Sequence, residues 1–220
     1  MSAMNVEEAR WNMIEHQIRP LEVLDQQVLD LMYAVKREDF VPAAYRMLAF
    51  SDLEIPLGQG EHMWPPKLEA RVMQELALKA GDRVLEIGTG SGYFTALLAR
   101  LVQHVYSVEI KPELKALGEA NLRRAGVANV TLELGDGARG WTKHAPYDVI
   151  VLTGSTPVLP PQLLQQMKPG ARLFAVVGEP PVMAARLVTC TGEGSYNSID
   201  LLETRIAPLT NALAGERFSF

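Results

Sequence analysis

The run Val84-Leu85-Glu86-Ile87 has the apolar character of a buried strand and leads into Gly88-Thr89-Gly90-Ser91-Gly92, after which a helical pattern begins at Tyr93. Without a Cβ, the glycine backbone can take positive φ and approach a ligand closely. The start of the following helix adds free N–H groups and a partial positive charge. Doubly wound sheets bind cofactors at such carboxyl ends of central strands. The spacing is G-x-G-x-G rather than the G-x-G-x-x-G of dinucleotide sites, and Glu86 stands two residues before Gly88. A carboxylate there repels a pyrophosphate. It suits S-adenosylmethionine, which has no phosphate and carries an ammonium and a sulfonium. Glu109 comes 17 residues after Gly92, at the end of the next strand. Its carboxylate can accept both hydroxyls of a ribose and would repel a 2′-phosphate, which argues against NADP. Asp136-Gly137 follows the third strand and offers an acceptor for an adenine amino group. Acidic groups at three successive strand ends therefore point to S-adenosylmethionine as cofactor.

The elements that must carry these residues can be read from hydrophobic spacing. Trp11, Ile14 and Ile18 form one apolar stripe, and Leu24, Val28, Leu31, Met32 and Val35 form another. These patterns predict two helices, ended at Arg19-Pro20 and Val41-Pro42. Periodicity fails from Phe50 to Pro66, where Pro56, Gly58, Gly60 and Pro65 accumulate. The expectation is a long lid loop over residues 51–66. A third helix starts at Pro66, with Gly81 as its C-cap. Strands are expected at Val84–Ile87, Val105–Glu109, Val130–Leu134, Tyr147–Leu152 and Leu173–Val177, alternating with helices. One of these helices spans Pro161–Met167 and stops at Pro169-Gly170, and Met183–Thr189 and Ile199–Thr204 make a closing antiparallel pair. This alternation predicts an α/β fold with a doubly wound, mostly parallel sheet. The expected organisation is a helical segment with lid loop over 1–80 and a cofactor-binding core over 81–220.

The chain has 220 residues, 48% apolar and 21% charged, with a formal net charge of −5. Residues 1–80 hold 8 Lys+Arg against 13 Asp+Glu, and residues 81–220 hold 13 of each. Neither part is a basic platform, so no nucleic-acid partner is expected. No apolar run reaches the roughly 18 residues that span a bilayer. The one cysteine, Cys190, fits a reducing, cytoplasmic setting. His16, His62, His104 and His144 share no ligand spacing, so no metal site is expected.

Several further stretches carry a resemblance. They are Met13-Ile14-Glu15-His16-Gln17-Ile18-Arg19, Val35-Lys36-Arg37-Glu38-Asp39-Phe40-Val41-Pro42, Ile55-Pro56-Leu57-Gly58-Gln59-Gly60, Leu163-Leu164-Gln165-Gln166-Met167-Lys168-Pro169-Gly170 and Pro208-Leu209-Thr210. With the glycine motif and Gly135-Asp136-Gly137, the chain resembles protein-L-isoaspartate O-methyltransferases over almost its whole length. The resemblance implies a seven-stranded sheet with one antiparallel strand. It also implies methyl transfer from S-adenosylmethionine to the side-chain carboxylate of isoaspartyl residues in damaged proteins. Cofactor contacts then fall on Glu86, Gly88, Gly90, Gly92, Glu109, Asp136 and Gly137, with Thr210 helping to close the site.

One run departs from that family. After its Gly-x-Gly the family carries Gln-Thr-Ile-Ser, whose hydroxyls face the substrate carboxylate and the cofactor. Here the run is Glu61-His62-Met63-Trp64, with Trp64 at the serine position. Glu61, His62 and Trp64 are the candidate catalytic-loop residues. Loss of two hydroxyl donors, with a new negative charge at Glu61, predicts weak or absent methylation of isoaspartyl peptides. Another acceptor, or a cofactor-binding protein without repair activity, are the alternatives. A phenol, hydroxyl or amine acceptor could use His62 or Glu61 as a base.

Overall fold

The computed structural model describes residues 6–214; the ends of the two expected segments, 1–5 and 215–220, lie outside them. Seven strands form one sheet: β3 (Arg83–Ile87), β4 (His104–Glu109), β5 (Val130–Leu134), β6 (Tyr147–Leu152), β7 (Met167–Glu179), β8 (Val182–Gly192) and β9 (Ser195–Glu203). Their order is β5-β4-β3-β6-β7-β8-β9. The first four interfaces are parallel, and β8 runs antiparallel to both β7 and β9. This is the expected sheet, with β8 as its single reversed strand. The chain leaves β3 toward β4 on one side, and β6 joins on the other. That reversal of order opens a crevice beyond the carboxyl ends of these strands.

Helices α4 (Tyr93–Leu101), α5 (Pro112–Arg124) and the short α6 (Pro161–Leu164) connect the strands. Val84, Val105, Val149 and Phe174 share an apolar cluster with Met13, Ile14, Met32 and Leu76 of the N-terminal part. Leu85, Ile87, Ile150 and Leu173 belong to a second cluster on the opposite face. Both faces of the central strands are thus covered, which explains why they read as unbroken apolar runs.

The N-terminal part differs from expectation in several places. Helix α1 (Val6–Asn12) passes into a π-helical turn over Met13–Ile18. The wider turn rotates the buried face, so that Met13, Ile14 and Ile18 are buried while Trp11 is 48% exposed. Helix α2 (Gln26–Ala34) begins after Asp25, whose side chain accepts the Gln27 N–H. Leu24 therefore lies outside the stripe, 68% exposed. Helix α3 (Pro66–Leu76) ends at Ala77 in the left-handed region rather than at Gly81. The expected lid loop is largely a hairpin of β1 (Ile55–Gly58) and β2 (Glu61–Met63). Its two-residue turn has φ of 56° at Gln59 and 78° at Gly60, the geometry of tight hairpin turns. At the other end, β7 already starts at Met167 and runs through Pro169-Gly170, so α6 is shorter than predicted.

Two buried polar knots fix how these pieces meet. The Arg37 guanidinium is 1% exposed and forms an ion pair with Glu69. It also donates to the carbonyls of Ala49 (2.9 Å) and Trp64 (2.5 Å) and lies 5.0 Å from the centre of the Tyr93 ring. One side chain thereby joins the N-terminal part, the hairpin, α3 and α4. The second knot is Glu86, fully buried, whose Oε2 accepts from Thr95 Oγ1 (2.5 Å) and Ser107 Oγ (2.6 Å). Thr89 Oγ1 lies 2.6 Å from Ser107 Oγ and extends the chain of hydroxyls. Burial pushes the Glu86 carboxyl up to about 8, whereas at Glu69 the paired Arg37 charge opposes the same rise.

A carboxyl group with a raised pKa holds more protons in the folded than in the unfolded protein. Its stabilising contribution is complete below the ordinary value of 4.5 and is lost as the pH rises through about 8. Stability should therefore fall between pH 5 and 8, and Glu86→Gln should flatten that fall. Urea unfolding at several pH values measures both slopes; equal slopes would contradict the assignment.

Candidate active site

The cleft lies at the carboxyl ends of β3, β4, β5 and β6, closed on one side by the β1–β2 hairpin and on another by residues 206–210. Its volume is about 960 Å³, including the open mouth, at the upper end of the range for small-molecule sites. The glycine turn forms its floor. Gly88 has φ +99°, and a Cβ there would fall 2.1 Å from Thr153 Oγ1. No other residue type fits without displacing Thr153. The Thr153 hydroxyl lies 2.8 Å from the carbonyl oxygens of both Ile87 and Gly88, which ties the end of β6 to the turn.

Glu109 ends β4, 5% exposed, and faces the cleft. Its Oε2 accepts the Gly90 N–H at 2.9 Å and its Oε1 accepts the Lys111 N–H at 3.0 Å. A carboxylate has about four acceptor sites, so capacity remains on both oxygens for a pair of ligand hydroxyls. Asp136 is the second residue of the loop after β5. Its Oδ1 accepts the Ala138 N–H at 3.0 Å and its Oδ2 accepts Asn211 Nδ2 at 2.9 Å. That last bond draws residues 204–214 over the cleft. The same segment is registered by Ser155 N–H to Ala207 O and Leu209 N–H to Ser155 O, both 2.9 Å. Thr210 sits exposed on this rim. At Gly137 a Cβ would stand 3.0 Å from Ile87 Cγ2, so a side chain there would press on Ile87.

The hairpin supplies the facing wall. Trp64 is 6% exposed, its ring centre 5.2 Å from Phe94 and 5.9 Å from Phe174. His62 is exposed and Glu61 half-buried. Glu61 pairs with Lys111 Nζ at 2.5 Å. The repulsion expected between Glu61 and a carboxylate acceptor is therefore corrected: its charge is already matched by an ammonium.

The expected residues Gly88, Gly90, Glu109, Asp136, Gly137, Thr210, Glu61, His62 and Trp64 all line this one cleft. Glu86 and Gly92 do not. The carboxylate of Glu86 turns to the face covered by α4, so the direct ligand contact expected of it gives way to a position behind the turn. Gly92 caps α4, and a Cβ there would lie 3.1 Å from Gly118 O, which makes it a close-packing residue between α4 and α5. Thr153 is a further lining residue that the strand-end rule, applied to β6, picks out from the sequence; Lys111 and Leu57 carry no such signal.

The ionisable lining residues are Glu54, Glu61, Glu69, Glu109, Asp136 and His62, and none of the described lining residues is lysine or arginine. Such a site disfavours a pyrophosphate and suits a nucleoside that carries positive charge. Among the described residues, no cluster of three or more His, Cys, Asp or Glu could hold a metal ion, and no helix is long and apolar enough to cross a membrane.

Comparison with known proteins agrees with this geometry. The sequence profile described as protein-L-isoaspartate (D-aspartate) O-methyltransferase matches residues 8–214. A protein-L-isoaspartate O-methyltransferase of Anaeromyxobacter dehalogenans is 40% identical over 210 residues, covering 94% of this chain and 98% of its own. A second, from Pelobacter propionicus, is 41% identical over 212 residues, covering 96% and 94%. A solved protein-L-isoaspartate O-methyltransferase superposes with a TM-score of 0.77 at 27% identity, over 94% of this chain and 66% of that one. A Plasmodium falciparum protein described by the same name, solved with S-adenosyl-L-homocysteine, gives a TM-score of 0.79 over 94% and 99%. At 17% identity, that likeness speaks for the fold alone. The strand-end acids, the carboxylate-lined cleft and these matches lead to one assignment: the chain belongs to the protein-L-isoaspartate (D-aspartate) O-methyltransferase family.

Proposed function

We propose that the protein methylates the side-chain carboxylate of isoaspartyl residues in damaged proteins, with S-adenosylmethionine as methyl donor. The observation that carries this reading is a cleft lined by carboxylates, without lysine or arginine among its described residues, at the strand ends of a chain of this family. When bound, S-adenosylmethionine supplies an activated methyl group on a sulfonium. Glu109 would hold the ribose hydroxyls, and the Asp136-Gly137 turn the adenine. The glycine turn at Gly88 and Gly90 would lie against the nucleoside, and Thr210 would close the rim. Glu86 acts from behind, fixing the turn against α4 and β4.

A carboxylate acceptor is already ionised at neutral pH, so no general base is required. The chain's contribution is to hold the acceptor in line and exclude water. Well-oriented intramolecular reactions gain effective molarities of about 10⁵ M or more from positioning. Trp64 and Phe94 offer an apolar wall for that purpose, and Leu57 lies over Gly90. The acceptor would be held from the 58–64 hairpin. A second reading is favoured by one observation: His62 is exposed at the cleft, and residues 61–64 carry no hydroxyl. There His62 would serve as base for an acceptor that must lose a proton.

Two outcomes are expected. Labelled methyl should enter an isoaspartyl peptide and not its aspartyl twin; incorporation into neither would leave the second reading standing. Glu109→Ala should weaken S-adenosylhomocysteine binding by about 1.5–3 kcal/mol, the size of hydrogen bonds to a charged group. Calorimetry measures it, and an unchanged affinity would remove Glu109 from the cofactor site.

A further inference from the structure

Lys111 follows β4 by two residues and caps the start of α5. It touches both sides of the cleft at once. Its backbone N–H donates to Glu109 Oε1 at 3.0 Å, on the cofactor side. Its ammonium donates to the Gln59 carbonyl at 2.6 Å and to Glu61 Oε1 at 2.5 Å, both at the tip of the hairpin. The Lys111 and Glu61 side chains are 25% and 32% exposed, so water screens the pair only in part. The tip itself is otherwise open: nothing lies within 4 Å of where a Cβ on Gly58 or Gly60 would stand. Leu57 leans on the glycine turn, 3.2 Å from the Cβ position of Gly90. Gly90 in turn donates to the other oxygen of Glu109. One carboxylate thus braces the turn beneath Leu57 and the backbone from which the lysine reaches the hairpin.

We propose that Lys111 is a positioning residue that couples occupancy at Glu109 to the placement of the acceptor-side hairpin. This rests on the reading that Glu109 accepts the ribose hydroxyls. A ligand bonded to Glu109 restrains that carboxylate, and with it the Lys111 backbone and the anchor point of the ammonium. The hairpin tip is then held down over the cleft, with Glu61, His62 and Trp64 set on the acceptor side. By linkage the coupling is reciprocal: an acceptor that favours the closed hairpin also favours ligand at Glu109. Removing the ammonium should uncouple the two sides without removing either.

The test is amide hydrogen exchange of residues 55–63 with and without S-adenosylhomocysteine, in the full chain, beside calorimetry of the same ligand. In the unaltered protein the ligand should slow hairpin exchange by about fivefold, the scale of one partly buried ion pair. Lys111→Met keeps the apolar stem and loses the charge. It should bind S-adenosylhomocysteine within about threefold of normal affinity while losing that slowing, and its KM for an isoaspartyl peptide should rise about fivefold with little change in kcat. Lys111→Arg should retain the coupling, and the exchange of charges in Glu61→Lys with Lys111→Glu should restore it. Glu61→Gln reads the same contact from the other side should Lys111→Met fold poorly. Equal slowing in Lys111→Met or Glu61→Gln and in the unaltered protein would overturn the proposal, as would a folded charge exchange that stays uncoupled. Exchange and calorimetry need no acceptor. Failure to methylate isoaspartyl peptides would therefore count against the assigned substrate and leave this coupling intact, whereas failure of S-adenosylhomocysteine to bind would remove its premise.

Discussion

The cofactor end of this molecule depends on one buried carboxyl group that does not face the cofactor cleft. Glu86 sits in the middle of the sheet at zero exposure and takes the hydroxyls of Thr95 on α4 and Ser107 on β4. Its Oε1 is buried with no hydrogen-bond partner among the described residues. A carboxyl group in that setting favours its neutral form, and the raised pKa expresses the same desolvation. The two hydroxyl bonds hold the first turn of α4 against the neighbouring strand. The glycine turn between them has little freedom left, and Gly90 is further fixed by Glu109. A short acidic network thus places the backbone that a nucleoside would lie on.

The opposite wall is organised by a second buried polar group, this one a cation. Arg37 spends its donors on Ala49, Trp64 and Glu69. Breaking such a buried pair by removing one partner costs about 3–5 kcal/mol, because a charge is left uncompensated. The pair therefore fixes where the hairpin returns to α3 and where the Trp64 indole packs. Between the two knots the cleft has Glu109 and Asp136 on the cofactor side and, on the other, the Trp64 and Phe94 rings beside Glu54, Glu61 and Glu69. Lys111 lies outside that lining, yet reaches across from Glu109 to Glu61. An unpaired Glu61 would repel a carboxylate acceptor; a paired one need not.

Much of this was legible in the sequence, for identifiable reasons. That Glu109 and Asp136 share one cleft is legible because parallel strands deliver their last residues to one crevice, so position along the chain gives position in space. The direction of the Glu86 side chain was not legible. Alternation separates inside from outside only when one face is wet, and both faces of β3 are buried. The hairpin reads as a loop in the sequence because its strands have only four and three residues, and its turn places Gln59 as well as Gly60 at positive φ. The π-helical turn after Asn12 broke the spacing that made Trp11 look internal. The role of Lys111 is not legible because its contacts with Gln59 and Glu61 join residues about fifty positions apart, which local spacing does not record.

The division of labour proposed here is that Glu86 builds the turn and Glu109 would meet the ligand. A crystal structure with S-adenosylhomocysteine bound tests that division most directly. The account predicts both ribose hydroxyls within hydrogen-bond distance of Glu109, the adenine beside the Asp136–Ala138 turn, and Glu86 still on Thr95 and Ser107 without touching the ligand. A ribose seated away from Glu109, or a Glu86 carboxylate swung onto the ligand, would contradict it.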